Sequence, residues 1–579
     1  MKKLQLLSSI IVFTLVGCND NSYKPANPAV GSLNNVVESS AIGSCPGDKA
    51  SGGEEDFVHV DQHDLLTKIA AGKHGEVFKE AFEKGDIIFG TFFTQEQGGG
   101  ANVGGILIPQ YTRMPRADLT ASGQWATHTP TRATGPNAQS CKECHNLPDE
   151  DGAGTVALNV HRDPNHSNDP KSMIQRNTPH LFGQGALQLL AEEMTNELKA
   201  IVNNASKEAC ATGQEVKSDL IAKAINFGYI TMTCNNGQAS VDNSHSKING
   251  VDPDLVVRPF EWKKSVAFVR DFMRGASHNE IGMQGTEIVG KGIDGDGDGI
   301  TDELTVGDLT VFSVYMAAQP RPTTKLELEK LGIIDKMNPS EHQQIARGEK
   351  LFGKGGVDCA SCHQPKLKLK SAIFSEPSQS PYHRDKTEVG ANTLPVNLAD
   401  EGVIPEKAIT FDLTKDQPDN VLCKDGKTIH LGSLETEQGQ AVVKLYSDLK
   451  KHYMGDDLAE PIDELGTGHM AMVPYEPVNS IVTYEHSEDE AKSTFGTKEL
   501  WGVACTGPWL HDGRATTLRQ AILLHGGEAD SSRDAFAKLD ENSKEDLIAF
   551  LENQVLYMKK AGSVGIPKLS SACEVKELQ

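Results

Sequence analysis

Beyond its first 16 residues, the 579-residue chain lacks any apolar run near the roughly 20 residues that a membrane-spanning helix needs. A membrane could therefore hold it only through a lipid. Basic residues are in deficit: 56 Lys and Arg stand against 80 Asp and Glu, for a net charge of −24. Such a surface repels phosphate backbones, which argues against nucleic acid as a partner. Solubility is its simplest use, and a basic partner protein is the alternative. Residues 19–55 lack apolar periodicity and are rich in Asn, Ser, Gly and Pro, which predicts a flexible tether. The remaining 500 or so residues exceed one ordinary core and predict at least two domains.

The N-terminus reads as an address. Lys2 and Lys3 precede an uncharged apolar run, residues 4–16, that closes in Leu15-Val16-Gly17-Cys18. This is the pattern of a secretory signal segment. Its last four residues resemble a bacterial lipobox, in which Cys18 is acylated and becomes the first mature residue. Residues 1–18 are thus expected to be a lipoprotein signal. The protein is placed in the bacterial envelope, lipid-anchored and either periplasm-facing or on the outer-membrane surface.

Cysteine carries the chemistry. Four of the eleven cysteines fall in two identical patterns, Cys141-Lys142-Glu143-Cys144-His145 and Cys359-Ala360-Ser361-Cys362-His363. Two thiols three residues apart can add to the two vinyl groups of one haem, and the adjacent imidazole can then ligate the iron. Composition alone gives roughly 0.007 chance occurrences per chain, so two are not accidental. A zinc site would want a second ligand pair close by, and a redox dithiol does not need the histidine. The chain is therefore expected to bind two c-type haems covalently. Apart from Cys18, this leaves Cys45, Cys210, Cys234, Cys423, Cys505 and Cys573. In an oxidising compartment these could form three disulfides, and Cys210 with Cys234 is the favoured pair because the segment between them is short.

Each motif has a helical context. Ser340 could cap a helix carrying Ile345, Leu351 and Phe352 before the second motif, and a helix over residues 543–556 follows it, with Ser543 and Asp546 as its capping signature. Val77, Phe78, Ala81, Phe82 and Ile88 predict an opening helix for the first half, and residues 309–318 a closing one. Pro320 and Pro322 mark the boundary. The predicted fold is mainly α, with two cytochrome c-like haem domains, residues 56–322 and 323–579. Residues 90–135 and 365–500 are long insertions expected to hold loops, short helices and small hairpins.

Further segments point to a family. Arg176-Asn177-Thr178-Pro179-His180-Leu181-Phe182, Leu500-Trp501-Gly502 and Leu510-His511-Asp512-Gly513-Arg514-Ala515-Thr516-Thr517-Leu518, taken with the two cysteine motifs, resemble the bacterial di-haem peroxidase superfamily. That group includes di-haem cytochrome c peroxidases, enzymes that mature tryptophylquinone cofactors, and rubber oxygenases. The likeness is nearest to its di-haem oxidoreductase branch, often labelled thiol oxidoreductases, and spans roughly residues 75–560. It implies a reactive N-terminal haem with His145 as proximal ligand and a relay C-terminal haem with His363. It also implies a second ligand for the relay iron, matched here by His525, which shares a helical face with Leu518 and Ala521. His511, His452 and Met454 are substitutes.

The resemblance implies that His161, His166 or His180 could close the reactive iron's sixth position, although a surface or structural role is simpler for each. Glu193, in Glu192-Glu193-Met194, matches the glutamate that moves a proton between peroxide oxygens. The family's haem-bridging tryptophan has no counterpart after Phe182. Trp125, Trp262, Trp501 or Trp509 could serve only if the fold brings one between the haems.

Asp294-Gly295-Asp296-Gly297-Asp298-Gly299-Ile300-Thr301-Asp302 stands apart. Asp294, Asp296, Asp298 and Asp302 at positions 1, 3, 5 and 9, the Ile300 carbonyl at 7 and glycine at 6 match calcium coordination, although Thr305 replaces the glutamate of position 12. An acidic turn without metal is the alternative. The family places another calcium between the haems, where Asn177 matches a ligand.

The expected function is peroxide reduction, with dioxygen as another oxidant, and a small electron-carrier protein as partner. Oxidation of an organic or protein substrate, or plain electron transfer without catalysis, are the rival readings.

Overall fold

In α2 (His74–Gly90), Val77, Phe78, Ala81, Phe82, Gly85, Ile88 and Phe89 are all buried, at the three- and four-residue spacing that makes one apolar face. α1 (Gln62–Ala70) leads into it. α3 (Gln184–Thr212), α4 (Val269–Ala276) and α5 (Val306–Ala317) follow. α5 is buried along its whole length and starts at a capping box made by Thr305 and Asp308. It crosses α2 at Gly85, where any Cβ would collide with Tyr315 and the Val311 carbonyl. Glycine is what lets these backbones approach.

The second half repeats the device. α6 (Pro339–Phe352) and α8 (Glu541–Glu552) cross at Gly348, which faces the Asp546 backbone without room for a Cβ. α7 (Leu518–Leu523) lies between them in sequence. The helices start slightly earlier than their serines predict. Asn338 and Asp540 are the caps, and the Asp540 carboxylate accepts from Ser543 N at 3.0 Å.

This computed structural model describes residues 56–100, 136–147, 150–163, 167, 169–385, 394–418, 421–424, 427–461 and 491–556. The signal-like start, the tether, Cys45, Trp125, His166 and Cys573 lie outside them. All described residues belong to one compact unit, Val37–Gln579. Among them no helix is long and apolar enough to cross a membrane.

The expected mainly α fold of two cytochrome c-like domains is corrected by the strands. β1 (Val160–Arg162) pairs with β2 (Ile174–Arg176). β3 (Val216–Ala222), β4 (Ile225–Asn235), β5 (Gln238–Val241) and β6 (Lys247–Ile248) form a four-stranded antiparallel sheet around β4. Its hairpins turn at Lys223-Ala224 and Asn236-Gly237, all four with positive φ, as tight two-residue turns require. The Cys210–Cys234 disulfide ties the end of α3 to β4, as the spacing suggested, and Cys505 is also disulfide-bonded.

Strands continue beyond residue 365. β7 (Leu367–Leu369) joins β10 (Glu435–Glu437) and β11 (Gln440–Val443), β8 (Ile373–Glu376) pairs with β9 (Ile409–Asp412), and β12 (Lys451–Tyr453) with β13 (Thr494–Gly496). Residues 365–500 were expected to hold loops, short helices and small hairpins, and β10–β11 is such a hairpin. These segments are strands because they cover the helices: Phe411 of β9 stacks on Phe78 of α2 at 4.7 Å and meets Phe374 of β8 at 5.2 Å. Leu367, Leu369, Phe374, Ile409 and Phe411 thus belong to the same core as α2, α3 and α5.

Candidate functional site

Each Cys-x-x-Cys-His motif is a single helical turn. Cys144 N and His145 N donate to the Cys141 carbonyl at 3.2 and 3.1 Å, and Cys362 N and His363 N to that of Cys359 at 3.3 and 2.9 Å. The turn sets both thiols and the imidazole on one wall. Each wall faces its own cavity, with empty volumes of about 1750 Å³ at His363 and about 1230 Å³ at His145, both opening to solvent. Each cavity is lined by both thiols and the imidazole of its own motif.

Among the described residues, each motif histidine engages one ring nitrogen only. His145 Nδ1–H donates to the Pro179 carbonyl at 2.9 Å and the Gly152 carbonyl at 3.1 Å. His363 Nδ1–H donates to the Tyr446 carbonyl at 3.0 Å. A carbonyl can only accept, so the proton is fixed on Nδ1 and the Nε2 lone pair is left for a metal. Burial pushes both imidazoles down to about 4, which keeps them neutral. Burial also pushes the Cys141 and Cys359 thiols up to about 12.

His525 lines the His363 cavity, just past the end of α7. Its Nδ1–H donates to the Ala521 carbonyl at 2.7 Å, again leaving Nε2 free. The two rings are 6.5 Å apart centre to centre. Metal–imidazole bonds of about 2.0 Å on each side require a spacing of roughly 6 Å, so this pair fits a haem iron between them. The substitutes differ. Both nitrogens of His452 are engaged, Nε2 with Asp448 at 2.9 Å and Nδ1 with Glu528 at 2.8 Å. Although burial opposes charge, hydrogen bonds to Asp448, Cys362 and Glu528 hold His452 up to about 12 as an imidazolium, which cannot ligate. His511 stacks on Phe495 at 4.3 Å, and Met454 also lines the cavity.

The His145 cavity is different. His180 is its only other lining histidine among the described residues. Both its nitrogens are used: Nε2–H donates to the Trp501 carbonyl at 2.9 Å and Nδ1 accepts from Phe182 N at 3.2 Å. His161 pairs with Gln175 and does not line the cavity.

Glu193 is not brought to this site. Its carboxylate pairs with Lys223 and accepts from Lys370 N at 2.8 Å and Ser371 N at 3.2 Å, joining α3 to the β3–β4 turn and the end of β7. The reason is geometric: only Gln184, at the start of α3, lines the cavity, and Glu193 is more than two turns further along. Its neighbour Glu192 is also elsewhere, accepting from Gln188 and Ser378, and burial pushes it up to about 7. The acids that do line the cavity are Glu261 and Glu280. Glu280 lies on a π-helical turn, Ser277–Ile281, and its carbonyl accepts from Asn137 N and Ala138 N just before the first motif. Such irregular turns are frequent at functional sites, but only the folded chain displays them.

The two cavities share a wall. Asn177, Thr178, Pro179, His180, Trp262 and Lys498 line both. Among the described tryptophans, Trp262 is the one that lines both cavities, whereas Trp501 and Trp509 line only the His363 cavity. Its indole N–H donates to the Asn177 carbonyl at 3.1 Å, and its ring meets His511 edge-on at 6.5 Å. Asn177 joins two sequence motifs: its N–H donates to the His511 carbonyl at 2.7 Å and its Nδ2 to that of Pro508 at 2.7 Å. Its buried Oδ1 has no hydrogen-bond partner among the described residues.

In the acidic loop, oxygens of Asp294, Asp296 and Asp298 lie within 4.8 Å of one another. Asp294 accepts from the N–H groups of Gly297, Asp298 and Gly299, which wraps the backbone round that carboxylate. Ile300 N donates to Asp298. Asp302, expected as a fourth ligand, is not in this group; it accepts from Gly292 N at 2.9 Å and closes the loop's base.

Residues 485–554 match the family described as "Di-haem oxidoreductase, putative peroxidase". Over those residues the chain is similar to that family. The match includes Trp501, His511, His525, α7 and α8, which form much of the His363 cavity, and both cysteine motifs lie outside it. No curated protein matches the chain. Two motifs, each with two thiols and an imidazole, face two cavities.

Proposed function

We propose that this di-haem oxidoreductase reduces peroxide at the His145 site with electrons relayed from the His363 site. One observation carries the reading: the His525 ring stands 6.5 Å from the His363 ring across their cavity with its Nε2 unengaged, whereas the other described histidine lining the His145 cavity, His180, has both ring nitrogens hydrogen-bonded. Haem bound at these sites supplies one-electron chemistry and, where a coordination position is open, a place for peroxide oxygen. Cys141, Cys144 and His145 would hold one haem, and Cys359, Cys362, His363 and His525 the other, the relay haem. Cleaving peroxide to two waters takes two electrons and two protons. Glu261 and Glu280 are the acids positioned to move protons in the His145 cavity, beside the cations Arg162 and Arg176. Trp262 is the aromatic step between the sites.

Calcium is proposed at Asp294, Asp296 and Asp298, with a second cation at the Asn177 Oδ1 between the cavities. The protein works as an envelope lipoprotein, receiving electrons from a small carrier protein. Spectra of the haem-loaded protein with and without peroxide test this directly. A high-spin haem that reacts with peroxide, and is lost as a reactant in His145→Ala, is expected. Two six-coordinate haems indifferent to peroxide in every redox state would instead make the protein an electron carrier.

A further inference from the structure

Behind the His145 cavity lies an arrangement that ligand binding does not require. Tyr315 on α5 is fully buried, and its hydroxyl donates to Asp151 Oδ2 at 2.7 Å. Asp151 is itself only 2% exposed. A buried phenol needs an acceptor, but a backbone carbonyl would do; a desolvated carboxylate is the costlier choice. What the carboxylate adds is basicity, because it can take the phenolic proton. A second acid, Asp86, lies beside the same hydroxyl and reaches the surface, so the proton has an onward acceptor.

The pair is also connected to the site. Phe89 lines the His145 cavity, with its ring centre 6.3 Å from the His145 imidazole. The Tyr315 ring is 5.8 Å behind Phe89 and 5.1 Å from Phe82. Phe312 and Met316, its neighbours on α5, line the cavity as well. No water-filled space is needed between the phenol and the histidine.

We propose that Tyr315 is a redox-active residue that gives one electron to an oxidised haem at the His145 site while its proton passes to Asp151. The phenolic O–H bond breaks, an O–H bond forms on the Asp151 carboxylate, the haem is reduced by one electron, and a neutral phenoxyl radical remains on Tyr315. This rests on haem attachment at Cys141 and Cys144, and the oxidant is peroxide acting on that haem. Tyr315 thereby keeps an oxidising equivalent inside the protein when reducing electrons are late to arrive.

The test uses the full, haem-loaded chain and two oxidants, peroxide and a photo-oxidised ruthenium trisbipyridine complex that needs no peroxidase activity. Freeze-quenched electron paramagnetic resonance should show a tyrosyl signal that narrows when ring-deuterated tyrosine is incorporated. The signal should vanish in Tyr315→Phe. Asp151→Asn should lower its yield at least several-fold while leaving the ferric haem spectrum unchanged, and this second variant decides the matter if Tyr315→Phe does not fold. A tyrosyl signal of unchanged yield in both variants, or none in the wild type after photo-oxidation, overturns the proposal. If peroxide leaves the haem spectrum unchanged but photo-oxidation gives the Tyr315 signal, the peroxidase reading falls and this one stands.

Discussion

His525 and Trp262 are the residues on which the proposed electron path turns. If His363 and His525 both ligate one haem, as proposed, that haem should be low-spin and at a lower potential than a Met/His haem. His525→Ala should open the coordination sphere and turn the C-terminal haem high-spin. His452→Gln should leave its spin state unchanged, since both ring nitrogens of His452 are already held by carboxylates. Magnetic circular dichroism of each variant reads this out, and a six-coordinate haem persisting without His525 would pass the ligand role to His511 or Met454. Trp262 lines both cavities, so Trp262→Phe keeps an aromatic wall but removes the more easily oxidised indole. Electron transfer between the haems should slow by an order of magnitude or more, measured by stopped-flow reoxidation, with both haem spectra unaltered. An unchanged rate would exclude Trp262 from the path.

At the scale of elements, the loop over residues 294–302 is the piece whose state can be changed from outside. Asp296 and Asp298 are buried beside Asp294, and three carboxylates so close repel one another unless a cation intervenes. A bound ion should stabilise the fold by linkage, so removing calcium with a chelator should lower Tm by several degrees and restoring it should reverse the loss. Asp296→Asn should respond less to the chelator than the wild type. No change in Tm would identify the loop as a plain acidic turn. Its neighbours make the effect global, because the same segment runs directly into the capping box of α5, and α5 crosses α2 at Gly85 next to the His145 cavity.

For the whole molecule, two buried groups give opposite pH signatures. His383 Nε2–H donates to the Val257 carbonyl at 3.1 Å, and burial pushes the imidazole down to about 3. Unfolding lets it take up a proton below its ordinary value of 6.5, so its contribution to stability falls as pH drops from about 6.5 towards 3. Glu192 runs the other way. Its folded value is about 7 against an ordinary 4.5, so the unfolded chain loses the proton first and stability falls as pH rises from 4.5 to 7. Each slope is about 1.4 kcal/mol per pH unit. The Tm deficit of His383→Gln should therefore shrink on acidification, and that of Glu192→Gln should shrink on going from pH 4.5 to 7. Curves parallel to the wild type would show that neither group titrates on unfolding.

The sequence by itself determined the two Cys-x-x-Cys-His motifs, because two thiols and an imidazole within five residues come together on one helical turn. It also determined the helices flanking them and the place of His525, since apolar spacing and i, i+4 neighbours are local properties. The strands of residues 216–248 were only half legible. Asn236-Gly237 is a hairpin signal, but the flanking Val216-Lys217-Ser218-Asp219 is too polar to announce a strand without a helix to lie on. Only the tertiary structure decided what stands between and behind the motifs. It took Glu193 away to Lys223, set Glu261 and Glu280 in the wall of the His145 cavity, and carried Trp262 across 85 residues of chain to the Asn177 carbonyl. Those outcomes depend on how α3, the sheet and the segment after β6 pack, and contacts between residues so distant in sequence leave no periodicity to read.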